Sequence, residues 1–346
     1  MAEYLRRPNP QAFVKTRAQE TKVGQALACL RKGVSLQETL ATHYSEGSRV
    51  AIVGVPESIG PRANCGHAGA EGGWDAFLHA FLNLQATPAM PIHDLLLVGH
   101  IDCTDLMAQA QDLDDLDSQT LPVLRELCAQ IDQRVLQVLQ PLFACGYEVI
   151  LIGGGHNNAY PLLKSLYEAT DKRCASVNLD PHADFRPREG RHSGNGFSYA
   201  YVDGALAHYH VMSLHEGKNS TTSLRQLNEA GFTYHSIHRL YDMQFVDALN
   251  DVSDLVVSWS APLGLEVDVD AIMQAPASAL NYTGVSMPQA YRYVSKLAAY
   301  SDTRYLHLAE AAPSRHPAGE PAGRMASGQL LTELTLAYLF GREQRP

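Results

Sequence analysis

Three short clusters of imidazole and carboxylate residues, each at the end of an apolar run, constrain this chain more than any other feature. Gly153, Gly154 and Gly155 lead into His156, Asp180, His182 and Asp184 alternate through 180–184, and Asp268 and Asp270 repeat the alternation. The runs before the first two, 148–152 and 174–178, are rich in branched apolar residues and read as buried strands. Positions i, i+2 and i+4 of an extended segment share a face, so each alternating set points to one place. Two imidazoles and four carboxylates gathered there would repel themselves if uncompensated, and a pair of divalent cations is the expected compensation. His156 has a second reading, a hydrogen-bonded structural histidine at a strand-to-helix corner. Three glycines immediately before it make room for backbone and favour the ligand.

Further apolar strands are expected around 49–56, 95–98, 209–214, 232–237, 260–267 and 304–310. Helical patterns separate them, for example the stripe Trp74, Phe77, Leu78, Phe81 and Leu82 and the long segment 119–142. Strands that alternate with helices predict a three-layer α/β/α fold around a mostly parallel sheet. Residues 1–48 read as a helical extension, with Ser35 and Glu38 in capping-box spacing, packed on a catalytic domain of residues 49–346.

Loops at the C-terminal ends of parallel strands are where such folds hold ligands. The loop 57–70 is too rich in glycine to be read as helix, and it offers Arg62, Asn64 and His67 as substrate contacts. Asn64 and Gly66 have the alternative of simply turning the chain, which is the favoured reading for His67. The polar, basic run 185–197 lies beside the acidic nest, where an arginine competing with metal would be costly. The planar fork of Arg186 suits a substrate carboxylate instead. Lys218 and Asn219 follow another strand; carboxylate binding and a solvated loop are equally open for them. His100 and Asp102 are read as loop residues, His208 and His210 as structural.

A formal charge of −10 weighs against nucleic acid as a partner. No apolar run reaches the length of a membrane span and the N-terminus lacks an apolar signal core, so a cytoplasmic enzyme is expected. Six scattered cysteines without a C-x-x-C pair suit reduced thiols.

At its three ligand clusters the chain resembles the ureohydrolases, the arginase, agmatinase and formimidoylglutamase family, and the likeness runs from about residue 50 to about 340. It implies an eight-stranded sheet of the arginase/deacetylase type, a homo-oligomer, and two Mn2+ per subunit. His156 and Asp184 would hold one ion, His182 and Asp270 the other, with Asp180 and Asp268 bridging. Asp184 would also relay a proton, and Glu310, at the end of the last strand, would bind an amidinium group; a surface glutamate is its alternative. Arg186, where arginases have asparagine, and Phe197, where they have a proton-shuttling histidine, resemble the formimidoylglutamases. So does the loop with Arg62 and Asn64 and the tripeptide ending in Asn195. Glu266 departs from the family's serine or threonine and acid before the Asp-x-Asp, and is read as a buttress of the site.

The resemblance implies hydrolysis of the small amidine N-formimidoyl-L-glutamate to L-glutamate and formamide, a step in histidine breakdown. The alternatives are another guanidino or amidino substrate, as in agmatinases, or a metal-binding module without turnover.

Overall fold

The computed structural model describes residues 3–32 and 35–346. Ten strands form one sheet among these residues: β1 (Leu5–Arg6), β2 (Ala28–Cys29), β3 (Val50–Gly54), β4 (Leu95–Ile101), β5 (Glu148–Ile152), β6 (Cys174–Leu179), β7 (Leu206–Leu214), β8 (Thr233–Ser236), β9 (Leu263–Asp268) and β10 (Thr303–Ala309). Their order is β1-β4-β3-β5-β10-β9-β6-β7-β8, with β2 also against β4. Every pairing is parallel except that of β1 with β4. The eight strands the resemblance implied are β3 to β10. The other two come from the N-terminal segment, which also holds a four-residue helix and the helix Leu36–Ser45, begun by Ser35 Oγ accepting from Glu38 N.

Parallel strands need crossovers, and the crossover helices cover both faces of the sheet. Strand residues accordingly divide by parity between two cores. Val50, Ile52, Ile150, Ile152, Leu263 and Leu265 face the helices Gly73–Phe81, Phe245–Trp259, Met287–Ala298 and Glu320–Arg342. Ala51, Val53, Val149, Leu151 and Val211 face Leu121–Ala144 and Ala159–Thr170. No helix among the described residues is long and apolar enough to cross a membrane.

The loop after β3 differs from its expected form, since Ile59–Ala63 is a short helix. The Glu57 carboxylate accepts from Gly60 N at 3.0 Å, so it meets an otherwise unpaired donor of the first turn, and Pro61 lies early enough to be tolerated. Asp102 is tied to Arg6 at 2.6 Å, and His210 lies between Thr233 and His235, which are structural roles.

Candidate metal centre

The order β5-β10-β9-β6 sets four strand ends side by side, and each delivers part of one nest. β5 ends in Gly153 and Gly154, both at positive φ (85° and 69°), and the turn carries His156 inward. A side chain at 154 would also strike Asn158 and Glu57. β6 runs into Asp180, whose Oδ1 accepts from His182 N at 2.6 Å and whose Oδ2 accepts from Asn178 at 2.9 Å. β9 ends at Asp268, which accepts from Asp270 N at 2.9 Å. β10 leads to Glu310, held by its own N–H on Gly154 O and by Ser278 N on its carbonyl. Asp184 and Glu310 sit at φ +44° and +65°, strain of the kind that persists at functional sites.

His156 Nδ1 lies 3.2 Å from Asp180, 3.0 Å from Asp184 and 3.6 Å from Asp268. His182 Nδ1 lies 3.3 Å from Asp180 and 3.2 Å from Asp270. Two ligand groups result, His156 with Asp180, Asp184 and Asp268, and His182 with Asp180 and Asp270, sharing Asp180. His156 Nδ1 and Asp270 Oδ1 are buried without a hydrogen-bond partner. Oxygen and imidazole donors, no thiol, and buried atoms left unpartnered fit two divalent cations of the manganese kind.

The electrostatics agree. Burial pushes the Asp184 carboxyl up to about 6, aided by the charge of Asp180, and Asp270 is raised further by burial and Asp268. Glu310 rises to about 8 for the same reasons, burial and then Asp268. Asp180 goes the other way: burial opposes its ionisation, but His156 and His182 overcome this and bring it to about 2. The imidazoles alone cannot neutralise so many acids, and added positive charge is the remedy.

The nest forms the floor of a cavity of about 630 Å³. Asn64, Arg186 and Asn219 line it, as do Lys218 and Arg315. Among the described residues no hydrogen bond or ion pair holds the side chains of Arg186, Lys218 or Arg315. Asn64 Oδ1 is buried and unpartnered, while the Asn219 amide is engaged with Ala183 N, Pro181 O and His215 O. His67 also reaches the cavity wall.

Two expected contacts do not reach it. Arg62 donates to Asp115 and to the carbonyls of Ala110 and Leu113, each at 2.8 Å, so its guanidinium clamps two loops together. Asn195 is fully buried: its Oδ1 accepts from Arg191 and His192 N, and its Nδ2 donates to Gly190 O and Pro187 O. Sequence reasoning missed Arg315, which follows the last strand like an ordinary turn residue. It also missed His307, whose signal was a histidine three positions before Glu310 inside an apolar strand. Phe197 packs edge-on against the His156 ring, with centroids 5.3 Å apart.

A mostly parallel sheet with a carboxylate–imidazole nest at four adjacent strand ends defines an α/β metallohydrolase. The chain belongs to the arginase family, whose model matches residues 48–336. A formimidoylglutamase of Hahella chejuensis is 28% identical over 74% of this chain and 72% of its own. Another, from Chromobacterium violaceum, is 27% identical over 70% and 71%. In fold, the chain is similar to the formimidoylglutamase of Bacillus subtilis (TM-score 0.74, 16% identity, 96% of this chain and 95% of that one). It is likewise similar to the formiminoglutamase of Trypanosoma cruzi with Mn2+ (TM-score 0.73, 17% identity, 95% and 100%).

Proposed function

We propose that this chain hydrolyses N-formimidoyl-L-glutamate to L-glutamate and formamide with two manganese ions per subunit. One observation carries the reading: the His156 and His182 ligand groups share Asp180 directly beneath a cavity whose wall carries Arg186, Lys218 and Arg315. The formimidoylglutamase relatives and the manganese-bearing fold neighbour support the substrate and the metal.

His156, Asp180, Asp184 and Asp268 would hold one ion and His182, Asp180 and Asp270 the other. When bound, such a pair lowers the pKa of a shared water so that hydroxide is available near neutrality. Glu310 accepts from His156 N through Oε1 at 2.9 Å, and its buried, unpartnered Oε2 is the acceptor for the amidinium N–H groups. Asp184 takes one water proton and returns it to the glutamate nitrogen as the carbon–nitrogen bond breaks; the second water proton passes from the oxygen to the freed amine, so the amidinium yields formamide and glutamate in its ammonium form. Arg186, joined by Lys218, Arg315 and Asn64, holds the two substrate carboxylates, for which a forked guanidinium is the matched donor.

The net charge of −10 supports a small-molecule partner over nucleic acid. A homo-oligomer in the cytoplasm, with residues 1–48 as an extension on the catalytic domain, completes the proposal. The test is product release by manganese-loaded protein given formimidoylglutamate, arginine, agmatine or guanidinobutyrate. Formamide from the first alone is expected; urea from any of the others would overturn the substrate assignment.

A further inference from the structure

Behind His156, on the side away from the cavity, lies a second polar group of which no atom reaches solvent. Glu266 and His307 are fully buried, and Tyr305 with them. Glu266 Oε1 accepts from Tyr305 OH at 2.7 Å; Oε2 lies 2.7 Å from His307 Nδ1 and 3.3 Å from His156 Nε2. The three residues His156, Glu266 and His307 are close enough to suggest a third cation site. At 2.7 Å the Glu266–His307 contact is a direct hydrogen bond, and the group is read as hydrogen-bonded.

The parallel register explains how the group is built. Gly264 pairs with Tyr305 and Glu266 with His307 across β9 and β10. A side chain at 264 would meet the Tyr305 ring at 2.1 Å, so glycine there is what admits the ring whose hydroxyl reaches Glu266. A carboxylate only accepts, so the ring nitrogens facing it must carry hydrogen. His156 therefore presents Nε2–H to Glu266 and the bare lone pair of Nδ1 to Asp180, Asp184 and Asp268, with Phe197 against the ring edge.

We propose that Glu266 is a positioning residue that fixes the orientation and tautomer of His156, and thereby sets the affinity of one cation site and not of the other. The selectivity follows from the ligand groups, because His156 belongs to one while His182 and Asp270 serve the second. The inference rests on the binuclear reading above, and its test separates the two.

Manganese binding is measured by equilibrium dialysis and electron paramagnetic resonance on the full chain. Wild type is expected to bind two ions and give the spectrum of an exchange-coupled pair. Glu266→Leu removes the acceptor: one ion should bind as in wild type and the other about 100-fold more weakly, with the isolated-ion hyperfine pattern at limiting manganese. Glu266→Gln can turn its carbonyl to the two histidines and its amide to Tyr305, so about tenfold weakening of the same site is expected. It carries the test if the leucine variant does not fold. Two ions at wild-type affinity in a folded variant would overturn the proposal, as would equal weakening of both sites. Fewer than two ions in wild type would overturn the binuclear reading itself.

Discussion

Glu310 divides its work between two oxygens. One fixes the backbone at His156 and the other is buried, unpartnered and turned to the cavity. Glu310→Ala should therefore lower kcat/KM by about 100-fold or more, the usual cost of losing a preorganised charge partner, while two ions still bind. Parallel kinetics and metal counts check this. The two arginines of the site loops should behave differently. Arg186→Ala should raise KM about 10- to 100-fold, the range of a lost charged hydrogen bond, with kcat little changed. Arg62→Ala should instead lower unfolding stability by about 1–3 kcal/mol through its lost loop contacts, as a denaturant titration would record. In sequence these arginines look alike, because nothing local says whether a guanidinium turns toward a carbonyl cluster or toward a cavity. The metal ligands were legible for the opposite reason: each ligand-rich set follows an apolar strand, although the chain is not extended through them, with Asp184 at φ +44° and Asp270 in a short 3-10 turn. Arg315 had no such pattern around it.

The run 185–197 looks irregular, yet one buried ion pair organises it. Arg191 donates to Asp132 at 2.6 Å, to Asn195 at 2.5 Å and to Asn157 O at 2.8 Å, and lies over the rings of Tyr160 and Tyr199. Removing one partner strands the other charge, so Arg191→Ala should cost about 3–5 kcal/mol in unfolding free energy. The variant should also raise KM, since Arg186 rides on the same loop. Strands and crossover helices were readable from their apolar periods, with Leu121–Ala144 ending within a turn of its expected place. The helix Ile59–Ala63 was hidden because glycine and proline argue against helix, and its support comes from Glu57, a side chain just outside it. Likewise β1 and β2 were unreadable, since two-residue strands carry no period and exist by pairing with β4.

Across the molecule, buried neutral histidines set how the fold meets acid. His210 is held down to about 3 by burial, with His235 and Arg239 adding to the effect. The unfolded chain takes up that proton near pH 6.5, the native chain only near 3, so stability is complete above 6.5 and is lost as pH falls through this window. The slope is about 1.4 kcal/mol per pH unit for one such group. Thermal unfolding from pH 7.5 to 5 should therefore be less steeply dependent on pH in His210→Gln than in wild type. That histidine's role was legible as structural, whereas its partner on β8 and its acid sensitivity depend on a strand pairing no local pattern reveals.

The strand order β5-β10-β9-β6 also has a temporal meaning. Strands made early in synthesis flank a gap that only the last two strands can fill. During translation β5 and β6 emerge with unmated inner edges, the non-local pairing that folds slowly and invites misassociation. A nascent chain halted before Thr303 carries all six ligand residues, yet β5 and β9 lack the strand that joins them, so His156 has no fixed place beside Asp268. The cation site is therefore closed by a strand that contributes none of its ligands.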